Sequence, residues 1–426
     1  MRIKLAVFLF LMSLAVSGQR FSERKIERLL RKFPVFDQAH VALSVEALNT
    51  SKPKAFFKGA KYMTPASNTK LLTFLAAQQN FDSLPALYYQ KKDSILHFKA
   101  TGYPLLFHPL YPDPELDAFF DQEYQWYYHA PESGFNAQGP GWSWDDYSYY
   151  FAAESSPFPI FGNTTRLITT PEVNPPQFTP KTLEKHLILD TLVQNFNRER
   201  FANRFYWNPQ NLKAKDTLYR PFITSDSLFV QLLEDRISSA VEWVKKTDAP
   251  LEWNLLYSGQ EKLLYQALLQ DSDNGIAEAL MNMVAQRNFD EMNVQKTIDT
   301  LKLQWKPWLP DPIEWVDGSG VSRYNMMTPR TLTAVLKKIY QEIGLETIKS
   351  YFPKSNTSQN LKNDPNREVY AKTGTLKHNH NLSGYWISAK GNVYVFSIMA
   401  NHFTAPTSAI RKGFYDLLLL FQKKLK

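Results

Sequence analysis

Residues 371–376 read AKTGTL, and Lys-Thr-Gly occurs once in the chain. The stretch opens the region leading to "NLSGYWISAKGNVYVFSIMAN" at 381–401, which reads as two apolar strands about a Lys390-Gly391-Asn392 turn. Lys372 offers a cation and Thr373 a hydroxyl, while Gly374 allows a ligand or a second backbone to come close. Alone, such a triplet is more often a turn than a site. Its weight comes from two motifs ahead of it, Ser67-Asn68-Thr69-Lys70 and Ser272-Asp273-Asn274. On a helix, Ser-x-x-Lys puts both side chains on one face. Taken singly these are cheap patterns: Ser22…Lys25 and Ser51…Lys54 repeat the first, and Ser358…Asn360 repeats Ser-x-Asn. The order Ser-x-x-Lys, Ser-Asp-Asn, Lys-Thr-Gly is a much stronger signal than any member.

That ordered set is the one used by serine acyl-enzymes that act on penicillin, and the chemistry explains its residue types. A serine hydroxyl is a poor nucleophile until its proton is removed. A lysine can take it if burial and a neighbouring cation lower its basicity. Lys70 is then the base for Ser67, and Lys372 the second cation. Ser272 relays a proton to the leaving amine, and Asn274 holds Lys70 and a substrate amide. Lys372 and Thr373 suit a substrate carboxylate. The N–H groups of Ser67 and Thr375 suit an oxyanion, where one lost donor costs about 2.7–4 kcal/mol. Asp273, between the two site residues, reads as the cap of a helix beginning near Gly275.

The 426 residues are 44% hydrophobic and 14% aromatic, enough for a sizeable core in two or three domains. "MRIKLAVFLFLMSLAVSGQR" has a basic start, an apolar run from Leu5 to Val16 and small residues at Ser17 and Gly18, the pattern of an export signal over 1–18. The run is short for a membrane span, and no other stretch approaches one. The expectation is an exported, periplasmic protein with no stable span after signal removal; a retained anchor is the alternative. There is no cysteine, hence no disulfide framework. The net charge of +8 is scattered among acids, without the basic stripe that nucleic acid requires.

Along the chain, "HVALSVEAL" at 40–48 alternates as a strand. "MTPASNTKLLTFLAAQQ" at 63–79 places Pro65 ahead of a helix with Ser67 near its N-terminus. From about 83 to 245 the texture changes to Tyr, Trp, Phe and Pro with many turns, which predicts a β-rich insertion in one piece or two. Helices return with "GIAEALMNMVAQ", with "TPRTLTAVLKKIYQEI", and with a last helix that aligns Ile410, Phe414, Leu417, Leu418 and Phe421. The predicted fold class is α/β (α+β). A discontinuous catalytic domain, 19–82 and 246–426, carries the inserted region 83–245.

"PASNTKLLT" (65–73), "DSDNGIAEALM" (271–281), "AKTGTL", "GPGWSWDDYSYYFAAESSPF" (139–158) and "DGSGVSRYN" (317–325) give the chain its family resemblance. It resembles the class C low-molecular-mass penicillin-binding proteins, D-alanyl-D-alanine carboxypeptidase/endopeptidases, over nearly all of the chain beyond the signal. The likeness is thinnest between about 165 and 245. It implies a penicillin-recognising, β-lactamase-like domain that hydrolyses the D-Ala–D-Ala end of peptidoglycan stem peptides through a Ser67 acyl-enzyme. It also implies β-lactams as covalent inhibitors, and no cofactor or metal.

Arg323 and Asp146 are then candidates to read the carboxylate and the ammonium of a diaminopimelate end, and Phe151 to pack on its aliphatic stem. Their structural alternatives are an ion pair, a turn or cap, and plain core. Ser272 lies 205 residues beyond Ser67, far more than in the compact serine β-lactamases, and no clear glutamate for a deacylating water is recognisable. An exported β-lactamase and a catalytically weak wall-binding protein are the other readings. "HNH" at 378–380 offers two imidazoles without a recognisable third ligand. Two departures from the family stand out: Tyr103, where Gly-Asp-Pro is usual, and the cation Lys377 after the third motif.

Overall fold

Alternating Val41, Leu43 and Val45, together with Ala42 and Ser44, are all buried, so the first strand, β1 (His40–Ala47), is covered on both faces. The computed structural model describes residues 20–48, 53–131, 136–170, 173–213, 215–245, 251–354 and 368–425. The signal reading at 1–18 lies outside them. The chain forms two compact units. One holds the chain through Leu71, Trp305–Glu314 and Asn325 onward; the other holds Leu72–Gln304 and Trp315–Tyr324.

The first unit is built on an antiparallel sheet in the order β14 (Glu368–Leu376), β15 (Asn379–Ile387), β16 (Val393–Asn401), β1, β2 (Ala55–Phe57). β15 and β16 form the hairpin read from the sequence, turning through Gly391 at φ 78°. β1 joins it antiparallel with Val41 opposite Ala400, which unites the two ends of the chain. The last helix buries Ile410, Phe414, Leu417, Leu418 and Phe421 completely, in one core with Leu43, Trp386 and Phe396. The face of five large side chains supplies the main apolar driving force there, at about 25 cal/mol per Å² removed from water. The helix Pro329–Tyr351 packs on β1, β15 and β16, starts at a Thr328 cap, and breaks at Gly344, φ 70°.

The second unit contains a five-stranded mixed sheet in the order β12 (Val241–Val244), β5 (Gln125–His129), β4 (Ile95–Ala100), β3 (Leu84–Lys92), β13 (Asn254–Ser258). Two three-stranded sheets complete its β structure among the described residues, one in the order β8 (Leu187–Leu189), β10 (Phe205–Trp207), β9 (Phe196–Arg198) and one in the order β11 (Thr217–Pro221), β6 (Thr164–Thr170), β7 (Val173–Thr179). Aromatic side chains fill the space between strands and helices: Phe98, Phe120, Trp126 and Phe158 are buried and in edge, stacked or tilted contact. The helix Asn274–Phe289 is buried along most of its length, from Ile276 to Gln286. Tyr103, the departure noted above, is fully buried; its hydroxyl meets Asp113 Oδ2 at 2.7 Å and Ser258 Oγ at 2.5 Å. Among the described residues no helix is long and apolar enough to cross a membrane.

Candidate active site

Proline at 65 cannot donate, and the chain after it winds first as a tight 3-10 turn, Ala66–Thr69, before the α-helix starts at Lys70. Ala66 is buried in the left-handed region at φ 49°, a strained conformation immediately before Ser67. The turn is pinned by amides from the sheet. Asn381 Nδ2 donates to the carbonyls of Thr64 and Pro65 at 3.0 and 2.9 Å. Asn401 Oδ1 accepts from Thr64 N at 2.7 Å. Asn68 Nδ2 donates to Ser383 Oγ at 3.3 Å. Ser67 is thereby held half-buried, with Lys70 Nζ 3.3 Å from its Oγ and the lysine side chain fully buried.

Lys372, Thr373, Gly374 and Thr375 lie on β14, in the same unit as Ser67 and Lys70. Lys372 is buried and its Nζ donates to Thr373 O at 2.9 Å. Burial, with the Lys70 ammonium adding to it, pushes Lys372 well below the usual lysine range. Two ammonium groups in one buried place cannot both stay charged cheaply, and this is the circumstance in which a lysine serves as a base. Gly374 has no room for a side chain: a Cβ would stand 2.4 Å from Pro65 O, 2.8 Å from Asn68 N and 3.1 Å from Ser67 N. That close approach sets β14 beside the Ser67 amide.

Thr375 is exposed, and its Oγ1 lies 2.8 Å from His380 Nδ1. Burial and the nearby Arg411 push His380 down to about 4, so the imidazole that braces Thr375 is neutral. His378 Nδ1 donates to Phe403 O at 2.9 Å. The "HNH" imidazoles are thus engaged within the sheet region, and no group of three metal-ligating side chains occurs among the described residues. Lys377 is exposed.

Ser272, Asn274, Asp146, Phe151 and Arg323 belong to the second unit. Ser272 takes φ 62° at the end of a wide turn, Ala267–Asp271. Asp273 caps the next helix, accepting from Ile276 N at 2.9 Å, so the helix begins at Asn274, one residue earlier than expected. Asn274 Nδ2 donates to Phe151 O at 2.7 Å. Phe151 is half-buried, stacks on Tyr149 at 5.3 Å, and lines a cavity of about 620 Å³ with Ser272, Asn274, Tyr111 and Tyr150. This placement on a cavity wall differs from plain core.

Asp146 is raised by partial burial and by Asp145, and lowered by the guanidinium of Arg323, which places the last two motifs within electrostatic reach. Arg323 is exposed at the end of the segment Asp317–Ser322. Two carboxylates that sequence reasoning missed hold this segment. Asp317 accepts from Gly320 N at 2.9 Å, Ser322 N at 2.6 Å and Trp142 Nε1 at 3.0 Å. Glu278 accepts from Gly318 N at 3.1 Å and Ser319 N at 2.8 Å. Burial, with Asp317 adding to it, pushes Glu278 up to about 7. A lone acid among the apolar residues of "GIAEALM" is the signal that would have found it.

Residues 212–418 match the D-Ala-D-Ala carboxypeptidase 3 (S13) peptidase family. The chain is 22% identical over 454 aligned positions to D-alanyl-D-alanine carboxypeptidase DacB of Haemophilus influenzae, covering 93% of this chain and 92% of that one. A penicillin-sensitive carboxypeptidase A of Dictyostelium discoideum is 32% identical over 120 residues, 25% of this chain and 23% of that protein. The crystal structure of penicillin binding protein 4 (dacB) from Haemophilus influenzae superposes with a TM-score of 0.70 at 19% identity, covering 92% of this chain and 99% of that one. The fold is the mixed α/β penicillin-recognising one read from the motifs. Together these findings support a class C low-molecular-mass penicillin-binding protein, a serine D-Ala-D-Ala carboxypeptidase, with the match to the D-Ala-D-Ala carboxypeptidase 3 (S13) family lying over residues 212–418.

Proposed function

We propose that the protein is an exported, periplasmic enzyme that removes the terminal D-alanine from peptidoglycan stem peptides and also cuts the D-Ala–diaminopimelate cross-link, through an acyl-enzyme on Ser67. The observation that carries the reading is the fully buried Lys70, with its Nζ 3.3 Å from Ser67 Oγ. Ser67 Oγ attacks the carbonyl of the penultimate D-alanine as Lys70 Nζ accepts its proton. The N–H groups of Ser67 and Thr375 hold the oxyanion. On collapse the C–N bond breaks and a proton passes by way of Ser272 to the departing amine. Water then hydrolyses the Ser67 ester, with the lysine again taking a proton. Asn274 anchors a backbone amide of the stem peptide; Lys372, Thr373 and Gly374 accommodate the terminal carboxylate.

Arg323 and Asp146 read the carboxylate and ammonium of the diaminopimelate end, while Phe151 packs on the stem between them. The electrostatic reach between Asp146 and Arg323 and the position of Phe151 on the cavity wall support this assignment. A β-lactam presents its strained amide to the same serine and is a covalent inhibitor. The relative crystallised with a β-lactam shares the fold, at a TM-score of 0.62 and 17% identity. Digestion of isolated peptidoglycan tests both activities. The expected products are free D-alanine and a fall in cross-linked muropeptides; binding of muropeptides without release of either product would contradict the proposal.

A further inference from the structure

The segment Asp317–Ser322 has no regular secondary structure, yet each backbone amide from Gly318 to Ser322 meets a side-chain oxygen. Glu278 takes Gly318 and Ser319, and Asp317 takes Gly320 and Ser322. Ser319 Oγ lies 3.4 Å from Val321 N. On the other side of the backbone, Thr73 Oγ1 donates to Gly318 O at 2.6 Å, and Trp315 Nε1 donates to Asp317 O at 2.7 Å. Gly318 packs so tightly that a Cβ would come within 2.6 Å of Ala277 O. The segment is therefore shaped by side-chain oxygens, from a neighbouring helix, from its own first residue and from Ser319.

Glu278 is the outside group with the least obvious reason to be there. It is 7% exposed, on a helix whose neighbouring side chains Ile276, Ala277, Ala279, Leu280 and Met281 are all buried. Desolvating a carboxylate at such a place costs several kcal/mol unless donors are supplied, and the donors supplied are the two loop amides. It stands four residues after Asn274, hence on the same face of the helix that starts by holding Phe151. The segment it fixes ends at Arg323, whose guanidinium bears on Asp146. Buried, and with an oxygen on each of two backbone donors, Glu278 is not a group that touches substrate.

We infer that Glu278 is a positioning residue for substrate discrimination. Its two bonds to Gly318 and Ser319 fix the 317–322 segment, and through it the place of Arg323, the residue that follows it. The inference rests on the reading of Arg323 as the group that meets the diaminopimelate carboxylate. Asn274 and Glu278 make one helix serve both ends of recognition: its first residue sets Phe151, and its second turn sets Arg323. Nothing in the three catalytic motifs would reveal this connection.

The test uses the full protein and two stem pentapeptides, one with diaminopimelate at the third position and one with lysine, which lacks the distal carboxylate. Acylation by benzylpenicillin is the readout independent of that side chain. In Glu278→Gln, kcat/KM for the diaminopimelate peptide should fall at least tenfold, mostly through KM. The lysine peptide and benzylpenicillin should stay within threefold. Arg323→Ala should show the same pattern, and the double variant should be little worse than either single one, because both act through one group.

Amide hydrogen exchange gives an activity-independent readout: Gly318 and Ser319 should lose at least tenfold protection in Glu278→Gln while global stability persists. Equal loss of all three activities, no loss of any, additive losses in the double variant or unchanged protection of those amides overturns the inference. If Arg323→Ala loses discrimination and Glu278→Gln does not, the inference falls and the reading of Arg323 stands. If Arg323→Ala leaves the preference unchanged, the reading itself falls and takes the inference with it.

Discussion

Gly374→Ala adds one methyl group where three backbone atoms already stand: Pro65 O at 2.4 Å, Asn68 N at 2.8 Å and Ser67 N at 3.1 Å from the new carbon. None is the tip of a flexible side chain, so relief requires β14 and the nucleophile turn to part. The turn is tethered by Asn381, Asn68 and Asn401, which leaves the strand as the element that yields. Overpacking of this kind costs about 1–3 kcal/mol of stability. The larger effect falls on chemistry, because the Ser67 and Thr375 amides are the proposed oxyanion donors and their separation is what changes. One misplaced donor is worth about 2.7–4 kcal/mol in the transition state, roughly a hundredfold to a thousandfold in rate. The assay is the second-order rate of acylation by a fluorescent penicillin, measured beside thermal unfolding. Gly391→Ala is the control: its Cβ meets nothing within 4 Å, although its φ of 78° carries ordinary turn strain. An acylation rate for Gly374→Ala within threefold of the parent would refute the reasoning about the close approach.

Two further predictions concern stability. Tyr103→Phe removes a hydroxyl shared with Asp113 and Ser258, which keep their mutual 2.7 Å bond and the backbone donors Leu116 N and Gln260 N; denaturant titration should show a loss of about 1–3 kcal/mol, with acylation unchanged. Glu278 binds its proton at about 7 in the folded chain against an ordinary 4.5, so protonation stabilises the fold. That stabilisation is complete below about 4.5 and lost as pH rises through 7. The difference in unfolding free energy between the parent and Glu278→Gln should therefore slope with pH by up to about 1.4 kcal/mol per unit between about 5 and 7, and equal slopes would contradict it.

What the sequence made legible were features governed by neighbours along the chain. The Asp273 cap, the Thr328 cap, the hairpin about Gly391 and the apolar face from Ile410 to Phe421 each follow from local spacing, and each is present. The details missed depend on distant partners. The helix after Pro65 starts as a 3-10 turn because amides from Asn381 and Asn401, more than 300 residues away, hold the carbonyls and amide before it. Tyr103 is a departure from the family pattern whose partner, Ser258, lies 155 residues further on. Glu278 sits within the stretch 271–281, but its reason for burial is a pair of amides 40 and 41 residues downstream. Arg323 and Asp146 are candidates on resemblance rather than on spacing, because nothing local sets them apart from other charged residues.

The central claim is that Ser67 carries the acyl group. Intact-mass analysis after brief exposure to benzylpenicillin tests it most directly, with peptide mapping to locate the adduct. One penicilloyl group per chain is expected, mapped to the peptide containing Ser67, and none in a folded Ser67→Ala variant. A single stoichiometric adduct in that variant, or one mapped to another residue of the parent, would contradict it.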